Sequence, residues 1–292
     1  MKYTLLKPTS YCPGVKRAID TVINKSKTSN KKMVTLGKLI NNNEIIKTFS
    51  DHGVETIDCT TSEYLGVLQS LTSSNLVVFT AHGHNYNLET YCNEHNIEFL
   101  DTTCVIIKDI LLKLSIYKTN GYKLILVGKK GHPETECYLQ TFKDDIQLYD
   151  ENNMNLIENE KYVVFAQTTI SYEKFFSSIE KLEKENGQSH LIVENTLCQI
   201  PLSRQKVISK ISSDDFDILV IIGSSLSSNT VELYNYAVKE CDVKEVILLE
   251  SLQDAVSKTS LLKNHLHAAI ISGSSTSLKT IIDISEFIST LD

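Results

Sequence analysis

DTTCVIIKDILLKLSIYKTNGYKLILVGKK, residues 101–130, holds one cysteine, a helical run and an apolar strand that stops at a glycine. Cys104 precedes Gly128 by 24 residues, and the same order recurs on either side. Cys12 in TSYCPG leads to Gly37 in MVTLGK after 25 residues, and Cys198 in ENTLCQ leads to Gly223 in LVIIGSS after another 25. The cysteines themselves stand 92 and 94 residues apart. A second strand then closes each unit at a polar tip: LVVFTAHGH, YVVFAQTT and HAAIISGSSTS. Three units of nearly one length with matched punctuation predict an internal threefold repeat. A period of roughly 95 residues is too long for a solenoid and predicts three similar small α/β domains around a pseudo-threefold axis. Their expected bounds are 1–97, 98–192 and 193–292.

The strand runs are continuous and apolar, as strands buried on both faces read. Helical patterns alternate with them, which predicts parallel βαβ units. Such units bind ligands at the carboxyl ends of their strands. Those ends carry Gly37, His82, Gly128, His132, Gln167, Ser227 and Ser275. The polar tips and the three repeat cysteines are therefore expected to meet at one central site.

Composition narrows the function. The 292 residues are 41% hydrophobic, enough for a large core, and the net charge of −7 argues against a nucleic-acid or polyanion surface. No apolar run reaches the roughly 18–20 residues of a membrane span. The opening MKYTLLKPTSYC has neither a signal-peptide core nor transit-peptide character, so the expectation is a soluble, cytoplasmic protein. Seven cysteines in such a protein are expected to be free, metal-bound or catalytic rather than disulfide-bonded. No C-x-x-C occurs, so any metal site is assembled from distant segments. Cys59, Cys92, Cys137 and Cys241 read as buried structural thiols. Cys12, Cys104 and Cys198 read as metal ligands. Three thiolates suit an iron–sulfur cluster with one iron lacking a protein thiolate, and zinc with His132 or His82 as a fourth ligand is the alternative.

Glu134, beside His132 in GHPE, is the one carboxylate next to a strand-end histidine motif. It suits proton delivery to a leaving group, through Thr168. SSLSSN and GSSTS offer hydroxyls and helix-start amides suited to a diphosphate, and the Walker A pattern is absent.

CPGVKRAI, TLGKLINNN, FTAHGH, DTTC, GKKGHPETE, QTTIS, NTLC, GSSLSSNT and SGSST, in this order along nearly the whole chain, resemble the LytB family of the methylerythritol phosphate route to isoprenoids. The resemblance implies a 4Fe–4S cluster on Cys12, Cys104 and Cys198. It implies reductive removal of the allylic hydroxyl of 4-hydroxy-3-methylbut-2-enyl diphosphate, giving isopentenyl and dimethylallyl diphosphate. It also implies diphosphate ligands at His82, His132, Thr168, Ser227, Ser228, Asn229 and Ser275. Four positions depart from the family pattern: Asn41 replaces a histidine expected to face the diphosphate, Pro13 an alanine, Val105 a proline and Leu226 an asparagine. The rival readings are a paralogue acting on another allylic or phosphorylated substrate, a cluster dehydratase or synthase such as quinolinate synthase, and a non-catalytic metal-binding protein. Lys16, Arg17, Lys25, Lys27, Lys31 and Lys32 form a basic stretch that reads as a solvated face or as a dock for an electron donor such as flavodoxin or ferredoxin.

Overall fold

The computed structural model describes residues 1–152, 154, 156, 157, 160–186 and 191–291. It contains three four-stranded, wholly parallel sheets, which is the α/β class expected. In chain order the strands are β1 (Lys2–Leu5), β2 (Lys32–Leu36), β3 (Val54–Ile57), β4 (Asn75–Phe79), β5 (Glu98–Asp101) and β6 (Tyr122–Val127). They continue with β7 (Ile146–Leu148), β8 (Lys161–Ala166), β9 (Leu191–Glu194), β10 (Ile218–Ile222), β11 (Glu245–Leu249) and β12 (His267–Ser272).

The repeat is explicit in the pairing order. Two sheets run β3-β2-β4-β5 and β7-β6-β8-β9. The third runs β11-β10-β12-β1, the same pattern with the chain's first strand filling the fourth place. The central pairs β2/β4, β6/β8 and β10/β12 are the strands whose apolar runs and polar tips mark the repeat in sequence. Their lack of polar–apolar alternation follows from cover on both faces. In β10, Ile218, Val220 and Ile222 pack with Ile281, Ile284 and Ile288, while Leu219 and Ile221 pack with Ile208, Leu233 and Ala237. Each such fully buried side chain contributes about 1.5–3 kcal/mol.

Each sheet is completed by a fourth strand outside the runs that mark the repeat in sequence. β5 completes the sheet of β2–β4, β9 completes the sheet of β6–β8, and β1 belongs with β10–β12. The chain forms two compact units. One comprises residues 1–16, 40–42 and 198–292 and holds the β10–β12 sheet with β1; the other comprises 17–39 and 43–197 and holds the other two sheets. In all three repeats the fourth strand leads into a cysteine, and the cysteine opens the next helix. β1 precedes Cys12 and the helix Pro13–Ser26, β5 precedes Cys104 and Val105–Thr119, and β9 precedes Cys198 and Gln199–Ile208. Among the described residues no helix is long and apolar enough to cross a membrane.

Candidate active site

The three repeat cysteines share one local geometry. Cys104 and Cys198 are helix N-caps with extended backbones, at φ −57°, ψ 135° and φ −68°, ψ 128°. Cys12 stands one residue before its helix, with Pro13 at the position where proline's missing N–H costs nothing. Its carbonyl accepts from Lys16 N at 2.9 Å, and its Sγ accepts from Val15 N at 3.4 Å. A helix N-terminus turns backbone N–H groups and a partial positive charge toward these sulfurs, the environment a negatively charged group takes. All three are half-buried, and none of the seven cysteines is in a disulfide. By contrast Cys92 and Cys137 lie in the core, and burial pushes their thiols up to about 11 and about 12. Burial also raises Cys59 and Cys241. Cys92 and Cys137 fit the buried role expected of them, while Cys59 and Cys241 are only half-buried; the donor chemistry of Cys12, Cys104 and Cys198 and their place at helix starts fit a thiolate-held cluster. Among the described residues no group of three or more His, Cys, Asp and Glu side chains is placed to hold a single ion.

Within the larger unit, Glu134 opens the helix Pro133–Phe142 and is 1% exposed. Its Oε1 accepts from Thr168 N at 2.7 Å and from Tyr138 Oη at 3.3 Å, and its Oε2 accepts from Thr168 Oγ1 at 2.7 Å. Glu134 and Thr168 are thus a direct pair. Burial outweighs these bonds and raises the carboxyl to about 7. Near neutrality Glu134 therefore holds a proton in reserve. A protonated carboxyl donates, so the Thr168 hydroxyl then accepts and presents its own proton onward. His132 caps the same helix, its Nδ1 accepting from Glu134 N at 3.2 Å, which leaves Nε2 as the donor of the neutral ring. His82 stands perpendicular to it, with ring centroids 5.7 Å apart. The buried Nδ1 of His82 has no partner among the described residues. Burial lowers His82 to about 4, and burial with the neighbouring His82 and Lys129 lowers His132 to about 3. Two neutral imidazoles with a sealed, unpaired nitrogen suit an anion that brings its own charge. Gln167 braces the tip: its Oε1 accepts from Lys129 N at 2.9 Å and Thr135 Oγ1 at 3.1 Å.

These shifts set opposing pH dependences in the ligand-free protein. His82 and His132 are depressed, so the stability they contribute is present above pH 6.5 and is lost as pH falls toward 4 and 3. Glu134 is raised, so its contribution is present below pH 4.5 and is lost as pH rises through 7. Glu134→Gln should remove the second slope, on the order of 3 kcal/mol at full ionisation. Urea midpoints of the two proteins between pH 4.5 and 8 should diverge; parallel curves would contradict the raised value.

Within the smaller unit, Ser227 caps the helix Ser228–Glu240 and accepts from the Ser275 hydroxyl at 3.0 Å. At its start Thr230 N donates to Ser227 O at 2.9 Å, while the N–H groups of Ser228 and Asn229 come too early in the helix for an intrahelical acceptor. Around them Asn229 Oδ1, Thr230 Oγ1 and Ser274 Oγ are buried with no partner among the described residues. Gly273 belongs here by necessity, since a Cβ would stand 2.1 Å from Thr230 Oγ1. Serine hydroxyls and helix N–H groups are the donors a diphosphate takes. Asn41 donates one amide proton to Leu226 O at 3.0 Å, and Asn42 donates to Ser275 O at 2.8 Å. Asn41 thus ties down the backbone of another departing position, keeping its second N–H and Oδ1 for other use. Asn41→Ala is expected to raise KM a few-fold, in line with about 0.5–1.5 kcal/mol for a hydrogen bond, with kcat little changed. An unchanged KM would take Asn41 out of the account.

Three lysines of the basic stretch form ion pairs within the fold. Lys25 and Lys31 both reach Glu98, at 2.7 and 3.4 Å, and Lys32 reaches Glu55 at 2.7 Å. Arg17 Nη2 donates to Thr103 O at 2.5 Å, bracing the residue before Cys104. Residues the sequence reading passed over include Tyr138, Asn42, Ser274 and Arg204. Asn42 and Ser274 lie inside quoted motifs and Tyr138 just past one; Arg204 has no local signal, because a lone basic residue in a helix reads as solvent-facing.

A family model described as LytB protein matches residues 4–289. A protein named 4-hydroxy-3-methylbut-2-enyl diphosphate reductase from Clostridium perfringens strain 13 is 31% identical over 239 residues, covering 81% of each chain. A protein of that name from Fusobacterium nucleatum is 26% identical over 288 residues, 97% of this chain. This chain spans about a third of the length of that relative and of another from Clostridium acetobutylicum, 34% and 36%. The solved structure of the E-1-hydroxy-2-methyl-but-2-enyl-4-diphosphate reductase from Plasmodium falciparum has the same fold. Its TM-score is 0.84 at 22% identity, covering 99% of this chain and 87% of that one. Three parallel sheets of one pairing order, a cysteine heading the helix after each fourth strand, and a family match over nearly the whole length together establish that this chain belongs to the LytB family.

Proposed function

We propose that the protein is an iron–sulfur oxidoreductase that converts 4-hydroxy-3-methylbut-2-enyl diphosphate to isopentenyl and dimethylallyl diphosphate. The observation that carries this is the buried Glu134–Thr168 pair, a carboxyl raised to about 7, in a chain with three half-buried cysteines at helix starts. A pure binding protein has no use for such an acid. Cys12, Cys104 and Cys198 would hold a 4Fe–4S cluster, which when bound supplies single electrons and a Lewis-acidic iron. Cysteines free of disulfides suit the reducing cytoplasm.

In this reading Glu134 gives up its proton toward the departing hydroxyl, and Thr168 relays it. His82, His132, Thr168, Ser227, Ser228, Asn229 and Ser275 bind the diphosphate. The unpartnered Nδ1 of His82 and Oδ1 of Asn229 gain partners on binding, the latter by accepting from the substrate's hydroxyl or an ordered water. Asn41 holds the Leu226 carbonyl and with it the loop before Ser227. Electrons come from a small donor such as a flavodoxin or ferredoxin. Two measurements test the reading. An anaerobic optical spectrum with iron and sulfide analysis is expected to show an iron–sulfur chromophore and to exclude zinc. Calorimetry is expected to show that the dephosphorylated alcohol binds at least about 10²-fold more weakly than the diphosphate, as loss of several charge-assisted bonds requires. Equal affinities would remove the diphosphate site.

A further inference from the structure

Arg204 is 2% exposed, the largest fully buried side chain of the protein, and takes no part in the chemistry described above. It lies on the helix Gln199–Ile208 that Cys198 heads. Its Nη2 donates to Ser10 O at 2.6 Å, two residues before Cys12, and its Nη1 donates to the carbonyl of Ser272 and, at 3.2 Å, to Ser272 Oγ. The same Ser272 hydroxyl receives Ser10 N at 2.8 Å, and Cys12 N donates to Ser274 O at 3.0 Å. Ser10 has φ 68°, a left-handed conformation that a non-glycine residue keeps only when its surroundings impose it. One guanidinium therefore fastens the segment of Cys12, the helix of Cys198 and the end of β12 to one another.

Every partner of this guanidinium is a neutral oxygen. Among the described residues no carboxylate pairs with Arg204, and its buried Nε has no partner. An unpaired buried cation is costly, and folds keep one where an anion completes it. Burial lowers the pKa of this guanidinium and the nearby Cys12 sulfur works against that, and Ser10, whose carbonyl it holds, stands two residues before Cys12. A reduced thiolate cluster is more negative than its oxidised form, so a fixed cation stabilises the reduced state more.

We propose that Arg204 is a positioning residue that holds the Cys12 and Cys198 segments in register and serves as the fixed counter-charge of the cluster, keeping its reduction potential high enough for a small protein donor. The proposal rests on the cluster assignment above. The test uses the full chain, reconstituted anaerobically with iron and sulfide, as wild type and as Arg204→Gln, Arg204→Met and Arg204→Lys. Iron, sulfide and the midpoint potential are measured in each, with thermal melting of the cluster-free proteins. The neutral variants are expected to shift the midpoint to more negative values, while Arg204→Lys, which keeps the charge but not the fork, stays near wild type. Loss of the cluster from the neutral variants alone, with their cluster-free folds intact, supports the same role. A neutral variant with a full cluster and an unmoved midpoint overturns the proposal, as does a Lys variant shifted as far as the neutral ones. Loss of the cluster from all three variants reduces Arg204 to a tether and overturns the charge role. So does failure of both neutral variants to fold beside a folded Lys variant, since the charge then serves the fold itself. A wild-type chain that takes up no iron and sulfide overturns the cluster assignment as well, which separates the two failures.

Discussion

Cys104→Ser is expected to be recovered folded but without its iron and sulfide, and with turnover at background. Cys12→Ser and Cys198→Ser should behave alike. A serine oxygen is a hard, weakly acidic donor and a poor substitute for thiolate on iron. Loss of an outer partner of a metal ligand costs about 10–100-fold, so loss of a ligand itself should exceed that. The fold should survive, because each cysteine stands half-buried at a helix start, a position where serine is a better cap than cysteine. Cys59→Ser and Cys241→Ser serve as controls and should keep iron near wild type. Full iron and sulfide in the Cys104 variant would sink the ligand assignment.

Glu134→Gln is expected to keep its cluster and bind substrate, yet turn over on the order of 10²-fold more slowly or worse. The amide still accepts from Thr168 N and Tyr138, so the local frame persists. It has no acidic proton to pass to Thr168. The wild-type kcat/KM should fall as pH rises through about 7, where free Glu134 ionises, and the variant should lose that limb. Turnover within a few-fold of wild type would remove Glu134 from the mechanism.

Much of this is legible in the sequence itself. The spacing of Cys12, Cys104 and Cys198 carried the repeat because cysteine is rare enough to mark phase. Central strands such as ILVII were legible because burial on both faces leaves an unbroken apolar run. The fourth strands were not. KYTL, EFLD and LIVE have four residues each and are only partly buried, so they carry neither a long run nor a clean alternation. That β1 pairs with β12 is a contact across some 265 positions, and no local signal in KYTL points to it. Each sheet therefore takes in a fourth strand that no local signal announces. Glu134 was legible from GHPE, but its raised acidity depends on Thr168 and Tyr138 enclosing it, which is a tertiary fact. Asn41 was legible as a departure, while its bond to Leu226 O needed the fold to show that two departures meet. Arg204 was illegible because its burial is decided by Ser10 and Ser272, 194 and 68 residues away.

The most direct test is turnover of 4-hydroxy-3-methylbut-2-enyl diphosphate by the anaerobically reconstituted wild-type chain with a reduced viologen dye as donor. The account predicts stoichiometric conversion to isopentenyl and dimethylallyl diphosphate at a rate that Glu134→Gln lowers on the order of 10²-fold or more. A chain with full iron and sulfide that leaves this diphosphate unchanged would contradict it and point to another phosphorylated allylic substrate.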